Sequence, residues 1–132
     1  EVMTPVDIMD ALAAAPFFEA LTVADLQNIA LRAIVEEAPA GTTLFSGDDP
    51  AKSVWVLIEG TGVCDGVPIE PGALLGDGAL GILETYGSEV VSQGMTLVRV
   101  PTDMIMDLAE ASSALGVELI RYASGAYGVG SL

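Results

Sequence analysis

Residues 74–92 read LLGDGALGILETYGSEVVS, and this stretch decides the fold. Asp77 stands between Gly76 and Gly78; Ala79, Leu80, Ile82 and Leu83 make a short apolar, helix-like run; Val90 and Val91 return to strand chemistry. A glycine turn leading into a helix start offers free backbone N–H groups and a positive dipole end, which together can cradle an anion. No Lys, Arg or His lies within the stretch. Whether it can still hold an anion is therefore the central functional question.

Outward from it, the punctuation is that of short strands. Residues 34–38, 43–45 and 53–59 read as strands separated by Pro39-Ala40-Gly41 and by the loop 46–50. SVWVLIE at 53–59 is the clearest of them, β-branched and aromatic, and Gly60 is expected to end it. Residues 61–64 and 67–69 flank Asp65-Gly66, a type I′ hairpin signal. Pro71-Gly72 marks another turn, and residues 89–92 and 96–100 are expected to form a hairpin across Gln93-Gly94-Met95. Short strands at even spacing predict a mainly β fold, a jelly-roll sandwich or barrel of about eight strands.

Helices flank this β unit. Thr4-Pro5-Val6-Asp7 combines a capping threonine, a first-turn proline and an acid, and Ile8, Ala11, Leu12 and Ala15 follow at helical spacing up to Pro16. Phe17, Phe18 and Leu21 form an apolar knot. Thr22-x-x-Asp25 opens a second helix with Leu26, Ile29, Ala30 and Ala33 on one face. Pro101-Thr102-Asp103 starts a third, with Met104, Ile105 and Leu108 inward. Ser112 or Ser113 caps a fourth carrying Leu115, Val117, Leu119, Ile120 and Tyr122. The chain reads as one domain over residues 1–125 with a glycine-rich tail at 126–132. Glu1 and Val2 precede Met3, and sequence alone leaves open whether they are native.

Charge bounds the partners. Arg32, Lys52, Arg99 and Arg121 face 19 acidic residues, for a net charge of −15. Nucleic acid and anionic membrane both demand more cations than this, and no apolar run reaches the roughly 18–20 residues of a membrane span. A lone cysteine, Cys64, forms no internal disulfide and suits a reducing, cytoplasmic setting. With no histidine, nucleophilic triads lose their base and zinc or iron sites their commonest ligand, so no metal site and no enzyme is expected. The acidic balance reads as that of a highly soluble cytosolic protein from an acid-rich proteome, or as an acidic face that docks a basic protein partner.

With the strands and helices in this order, residues 17–122 resemble the cyclic nucleotide-binding domain family. FFEAL, AGTTLFSGD, SVWVLIEG, the D-G and P-G turns, LLGDGAL and LVRVPTDMIMDL carry the resemblance in register. It implies a phosphate-binding cassette of the pattern F-G-E-L-A-L followed by P-R-x-A. There a glutamate takes the ribose hydroxyl, and helix-start N–H groups with an arginine hold the cyclic phosphate of cAMP or cGMP. On this chain Leu75 replaces the phenylalanine, Gly76 keeps the glycine and Asp77 stands for the glutamate. Gly78, Ala79 and Leu80 supply backbone donors, and Tyr86 falls at the arginine, followed by Gly87, Ser88 and Glu89. Glu84 and Glu89 add negative charge nearby.

The candidate ligand-binding set is thus Gly76, Asp77, Gly78, Ala79, Leu80, Tyr86 and Ser88, a cassette that has lost its arginine. Two roles stay open for several residues. Asp77 is a ribose ligand or a helix cap, and Tyr86 lines a pocket or packs. Trp55 reads as core and Cys64 as an inert strand residue; Tyr122 and Tyr127 lie where the family's last helix can cover a base. The expected function is a non-catalytic regulatory or protein-interaction module without a cofactor, docking a partner or part of a larger assembly and binding cAMP or cGMP weakly or not at all. The alternative is a genuine sensor of a cyclic nucleotide or other small ligand, working through the Gly76–Leu80 donors and closure of the last helix. A jelly-roll metalloenzyme is disfavoured by the missing histidines.

Overall fold

The computed structural model describes residues 3–76 and 85–123, the side chains of Pro16, Tyr122 and Ala123 excepted. Helix α1 (Pro5–Leu12) opens with a reciprocal cap: the Asp7 N–H donates to Thr4 Oγ1 at 3.2 Å and the Thr4 N–H donates to Asp7 Oδ2 at 3.0 Å. Donation from the Thr4 backbone holds the Asp7 carboxyl below its ordinary range. Ile8 and Leu12, one turn apart, face inward. The helix stops at Leu12, before Ala15; Pro16 does not end it but opens α2 (Pro16–Glu19), where a missing N–H costs nothing. Phe17 and Phe18 are fully buried, edge to face at 5.0 Å.

In α3 (Val23–Ala30), Thr22 Oγ1 accepts from the Asp25 N–H at 3.1 Å. The Asp25 carboxylate, however, is buried and accepts from Ser112 Oγ at 2.7 Å, across 87 residues of sequence. Ser112 Oγ in turn accepts from the Leu115 N–H at 3.2 Å and caps α5 (Ser113–Ala123), which follows α4 (Thr102–Ala111). One hydroxyl therefore ties the N-terminal helices to the C-terminal pair. In α5 the inward residues are Leu115, Glu118 and Leu119. Val117 and Ile120, carried by the same helix, are 52% and 71% exposed. Apolar residues surround this helix, so periodicity alone could not choose its buried face.

The strands are β1 (Ile34–Ala38), β2 (Thr43–Phe45), β3 (Ser53–Cys64), β4 (Val67–Ile69), β5 (Leu74–Leu75) and β6 (Val90–Pro101). They form one antiparallel sheet in the order β1-β6-β3-β4, with β2 also on β6 and β5 also on β3. The sheet curls as a jelly roll without closing into a barrel. Among the described residues there are six strands instead of about eight, because two expected breaks are bends. Gly60 does not end β3, and no hairpin forms at Gln93-Gly94-Met95; β3 and β6 each run through for 12 residues. Gly60 and Gly94 hold φ of +90° and +103°, and a Cβ on Gly60 would lie 1.9 Å from the Gly94 carbonyl oxygen. The pairing register shifts beside them. The two glycines let paired strands bend together at close approach, as bulges do.

The ladder assigns the faces. Val54 pairs with Val100 and Val56 with Val98, on the side met by α1 and α4. Trp55 pairs with Arg99 and Leu57 with Leu97, on the inside of the roll. At the Asp65-Gly66 turn, Asp65 and Glu89 exchange bonds: the Asp65 N–H donates to the Glu89 carbonyl at 3.0 Å, and Asp65 Oδ1 accepts from the Glu89 N–H at 2.9 Å. This fixes where β6 begins. No helix among the described residues is long and apolar enough to cross a membrane.

Gly60→Ala should destabilise the protein by about 2–4 kcal/mol, since strain at positive φ adds to overpacking against backbone. Urea unfolding reads this as a lower midpoint; an unchanged midpoint would show that the bend tolerates a side chain. Asp25→Asn and Ser112→Ala, taken singly and together, should show coupling of about 0.5–3 kcal/mol in a double-mutant cycle. Strict additivity would mean that the two groups act separately.

Candidate functional site

The cassette's described part is Gly76 at its start and Thr85 onward at its end; Asp77, Gly78, Ala79 and Leu80 lie outside the described residues, as do Glu84 and Tyr127. Gly76 is buried with φ +76°, and an added Cβ would stand 2.9 Å from Tyr86 Cε1, 3.1 Å from the Ser53 carbonyl oxygen and 3.1 Å from Trp55 Cζ3. Gly76 and Tyr86 are thus in mutual contact. The absent side chain at Gly76 makes room for the ring of Tyr86.

Tyr86 belongs to the core. It is 7% exposed, packs on Phe45 with ring centroids 4.2 Å apart, and lies 5.8 Å from the Trp55 ring. Phe45 also stacks on Trp55 at 5.4 Å. The Tyr86 hydroxyl donates to the Ser53 carbonyl at 2.8 Å and accepts from the Ser53 N–H at 3.1 Å. It thereby satisfies both backbone groups of the first residue of β3. Burial pushes the phenol above its ordinary value, with the Ser53 backbone donor offsetting part of the rise.

Backbone donors beside Tyr86 are also occupied. The Tyr86 N–H donates to the Asp49 carbonyl at 3.2 Å and the Gly87 N–H to the Gly47 carbonyl at 3.0 Å. Thr85 bridges Pro50, so the end of the cassette is laced to the loop between β2 and β3. Ser88 is half-buried beyond this lacing. The structure therefore brings Gly76 and Tyr86 together, with Ser88 two residues further along the chain.

Arg99 is the cation whose charge reaches Tyr86. Its Nε donates to Glu36 Oε2 at 2.7 Å, while Glu36 Oε1 accepts from Trp55 Nε1 at 3.0 Å. Both carboxylate oxygens are committed, and Arg99 is already neutralised. Nothing local in the sequence marks this cluster, since Glu36 and Arg99 are 63 residues apart and meet only through the pairing of β1 with β6. A 370 Å³ cavity beside it, bounded by Glu36, Thr42, Thr43, Leu44 and Leu97, is lined by carboxylates and no cation.

Tyr86→Phe should cost about 1–3 kcal/mol, because the Ser53 N–H and carbonyl are left buried without partners. A phenol raised on folding stabilises the native state fully below its unfolded value and loses that contribution as pH climbs through its folded value. Wild-type stability should therefore fall above about pH 10, more steeply than that of Tyr86→Phe, as measured by denaturant midpoints across alkaline pH. Parallel curves would show that Tyr86 ionises freely.

No family model matches the chain, and no curated protein matches it in sequence. Solved structures do match. A candidate cyclic nucleotide-binding protein from Geobacter metallireducens GS-15 superposes with a TM-score of 0.77 at 24% identity, over 97% of this chain and 98% of that one. The regulatory domain of Toxoplasma gondii PKA, crystallised with cAMP, gives 0.71 at 20% identity over 78% of this chain and 43% of its own. A regulatory subunit of a cAMP-independent protein kinase A from Trypanosoma brucei gives 0.72 at 13% identity, over 91% and 47%. The three superpositions share one fold, and the chain has the fold of a cyclic nucleotide-binding domain.

Proposed function

We propose that this protein is a non-catalytic regulatory and protein-interaction module, built on a cyclic nucleotide-binding fold whose pocket binds cAMP or cGMP weakly or not at all. The observation that carries the reading is the position of Tyr86. At the place where the family resemblance puts a phosphate-binding arginine, this chain has a buried phenol whose hydroxyl is spent on Ser53. Losing an arginine–phosphate contact forfeits about 1.5–3 kcal/mol. Arg99, a cation whose charge acts on Tyr86, is paired to Glu36. The Tyr86 and Gly87 N–H groups, which could have faced a phosphate, donate to loop carbonyls.

The trypanosomal neighbour offers a parallel. It is described as cAMP-independent, and the form holding cAMP in its A site is a triple mutant that includes a threonine-to-arginine change. Regulation in this module would run through its acidic surface and helices, with no cofactor. At −15, that surface disfavours nucleic acid and anionic membrane as partners.

Calorimetric titration of the wild-type protein with cAMP and with cGMP should show no binding tighter than about 100 μM, and no stabilisation of the roughly 2.7 kcal/mol expected at 100-fold saturation. A tighter constant for either nucleotide would establish the sensor reading in its place. Tyr86→Arg should gain affinity for cAMP where Tyr86→Phe does not. A folded arginine variant that remains inert would show that the lost cation belonged at another position.

A further inference from the structure

The sheet side that carries the helices runs out beyond α1 into a surface of different character. Val35, Val98 and Val56 are ladder partners across β1, β6 and β3, and the next row on the same face is Glu37, Thr96 and Glu59. Directly paired residues point to one side of a sheet. Glu37 and Glu59 therefore stand on either side of Thr96, two strand spacings or about 10 Å apart. Two cavities of 300 and 320 Å³ meet at this row and share Glu37, Glu59 and Thr96. The first is walled by Asp7 of α1 and has Met3, Val35 and Ile58 as its apolar lining. Val35 is 40% exposed, unlike its fully buried neighbours Val56 and Val98.

No cation lines either cavity, although all four of the chain's basic residues are described. Arg99 is paired with Glu36 and Arg121 with Glu118. The Glu37 and Glu59 carboxylates have no hydrogen bond or ion pair among the described residues. The cap from Thr4 keeps Asp7 ionised. Three like charges around a partly apolar cleft repel one another until a positive group is brought in.

We propose that this cleft docks a basic segment of a partner protein, seating an apolar side chain on Met3, Val35 and Ile58 while lysine or arginine side chains reach Glu37, Glu59 and Asp7. The proposal rests on the interaction-module reading and gives that module its partner class. A second copy is the wrong occupant, since it would bring another −15 and its own row of carboxylates. A single metal ion is wrong too. No three metal-ligating side chains among the described residues come together, and Glu37 and Glu59 are spaced for an extended segment. Phosphates are repelled outright.

The test is fluorescence anisotropy of the full chain with a labelled peptide, Arg-Leu-Arg-Arg-Leu-Arg, against a control with serine in place of leucine. Saturable single-site binding is expected, weakened by salt and at least about tenfold tighter for the leucine peptide. Glu37→Gln with Glu59→Gln should weaken it by about tenfold or more. Asp103→Asn with Asp107→Asn removes the same charge from α4, at the far end of β6, and should leave it within about twofold. Equal losses from both pairs, indifference to leucine, or full displacement by spermidine would overturn the proposal. The salt response and leucine preference of the wild type are decisive even if a variant misfolds. Cyclic nucleotide titration runs separately: tight cAMP binding with intact peptide binding refutes the filled pocket and keeps the cleft, and the reverse pattern refutes the cleft alone.

Discussion

The pairing of β3 with β6 is the constraint on which the rest of this structure depends. Each strand is too long to stay flat over a small core, so the pair must bend where it is most tightly apposed. Gly60 and Gly94 permit this by presenting no side chain where backbone meets backbone. On one side of the bend, Val54, Val56, Val98 and Val100 make a floor for the helices; on the other, Trp55, Leu57 and Leu97 face the roll. β1 and β2 attach to β6, and β4 and β5 to β3. The aromatic cluster, the Glu36–Arg99 pair and the acidic cleft are all consequences of the register this pair sets.

The buried position of Tyr86 follows from two residues acting together. Gly76 leaves a space that only a residue without a side chain can leave, and Tyr86 enters it from the far end of the cassette. A phenol is well suited to this place. Its ring supplies apolar area against Phe45 and Trp55, and its hydroxyl completes the first rung of β3, which otherwise ends in unpaired backbone groups. The tyrosine thus does structural work that an arginine at the same position could not.

Much of this was legible in the sequence because it is local. Capping threonines, the first-turn proline Pro5, the Asp65-Gly66 turn and the β-branched, aromatic run at 53–59 each act over a few residues, and each is found where expected. The two strand bends were not legible because their cause is not local. Gly60 and Gly94 look like strand ends, because the carbonyl that makes a glycine necessary at Gly60 comes from a distant strand. Likewise the acid at Asp25 matches a capping pattern, yet its carboxylate answers Ser112. The family resemblance implied a role for the position of Tyr86, but it did not say whether the ring would be open to solvent or packed. That was decided by Phe45, Trp55 and Ser53, contributed by three other segments of the chain.

The central place of β6 also has a consequence in time. β1, β2 and β3 find their main partner in β6, which follows every other described strand in the chain, so a growing chain has little of this sheet to form until Pro101 has left the ribosome. Until then Val54, Trp55, Val56 and Leu57, all buried in the finished fold, are sticky strand without a mate. An excess of negative charge, spread along the sequence, keeps such unfinished chains apart from one another. The same charge that shapes the surface of the folded protein therefore shelters it before it has folded.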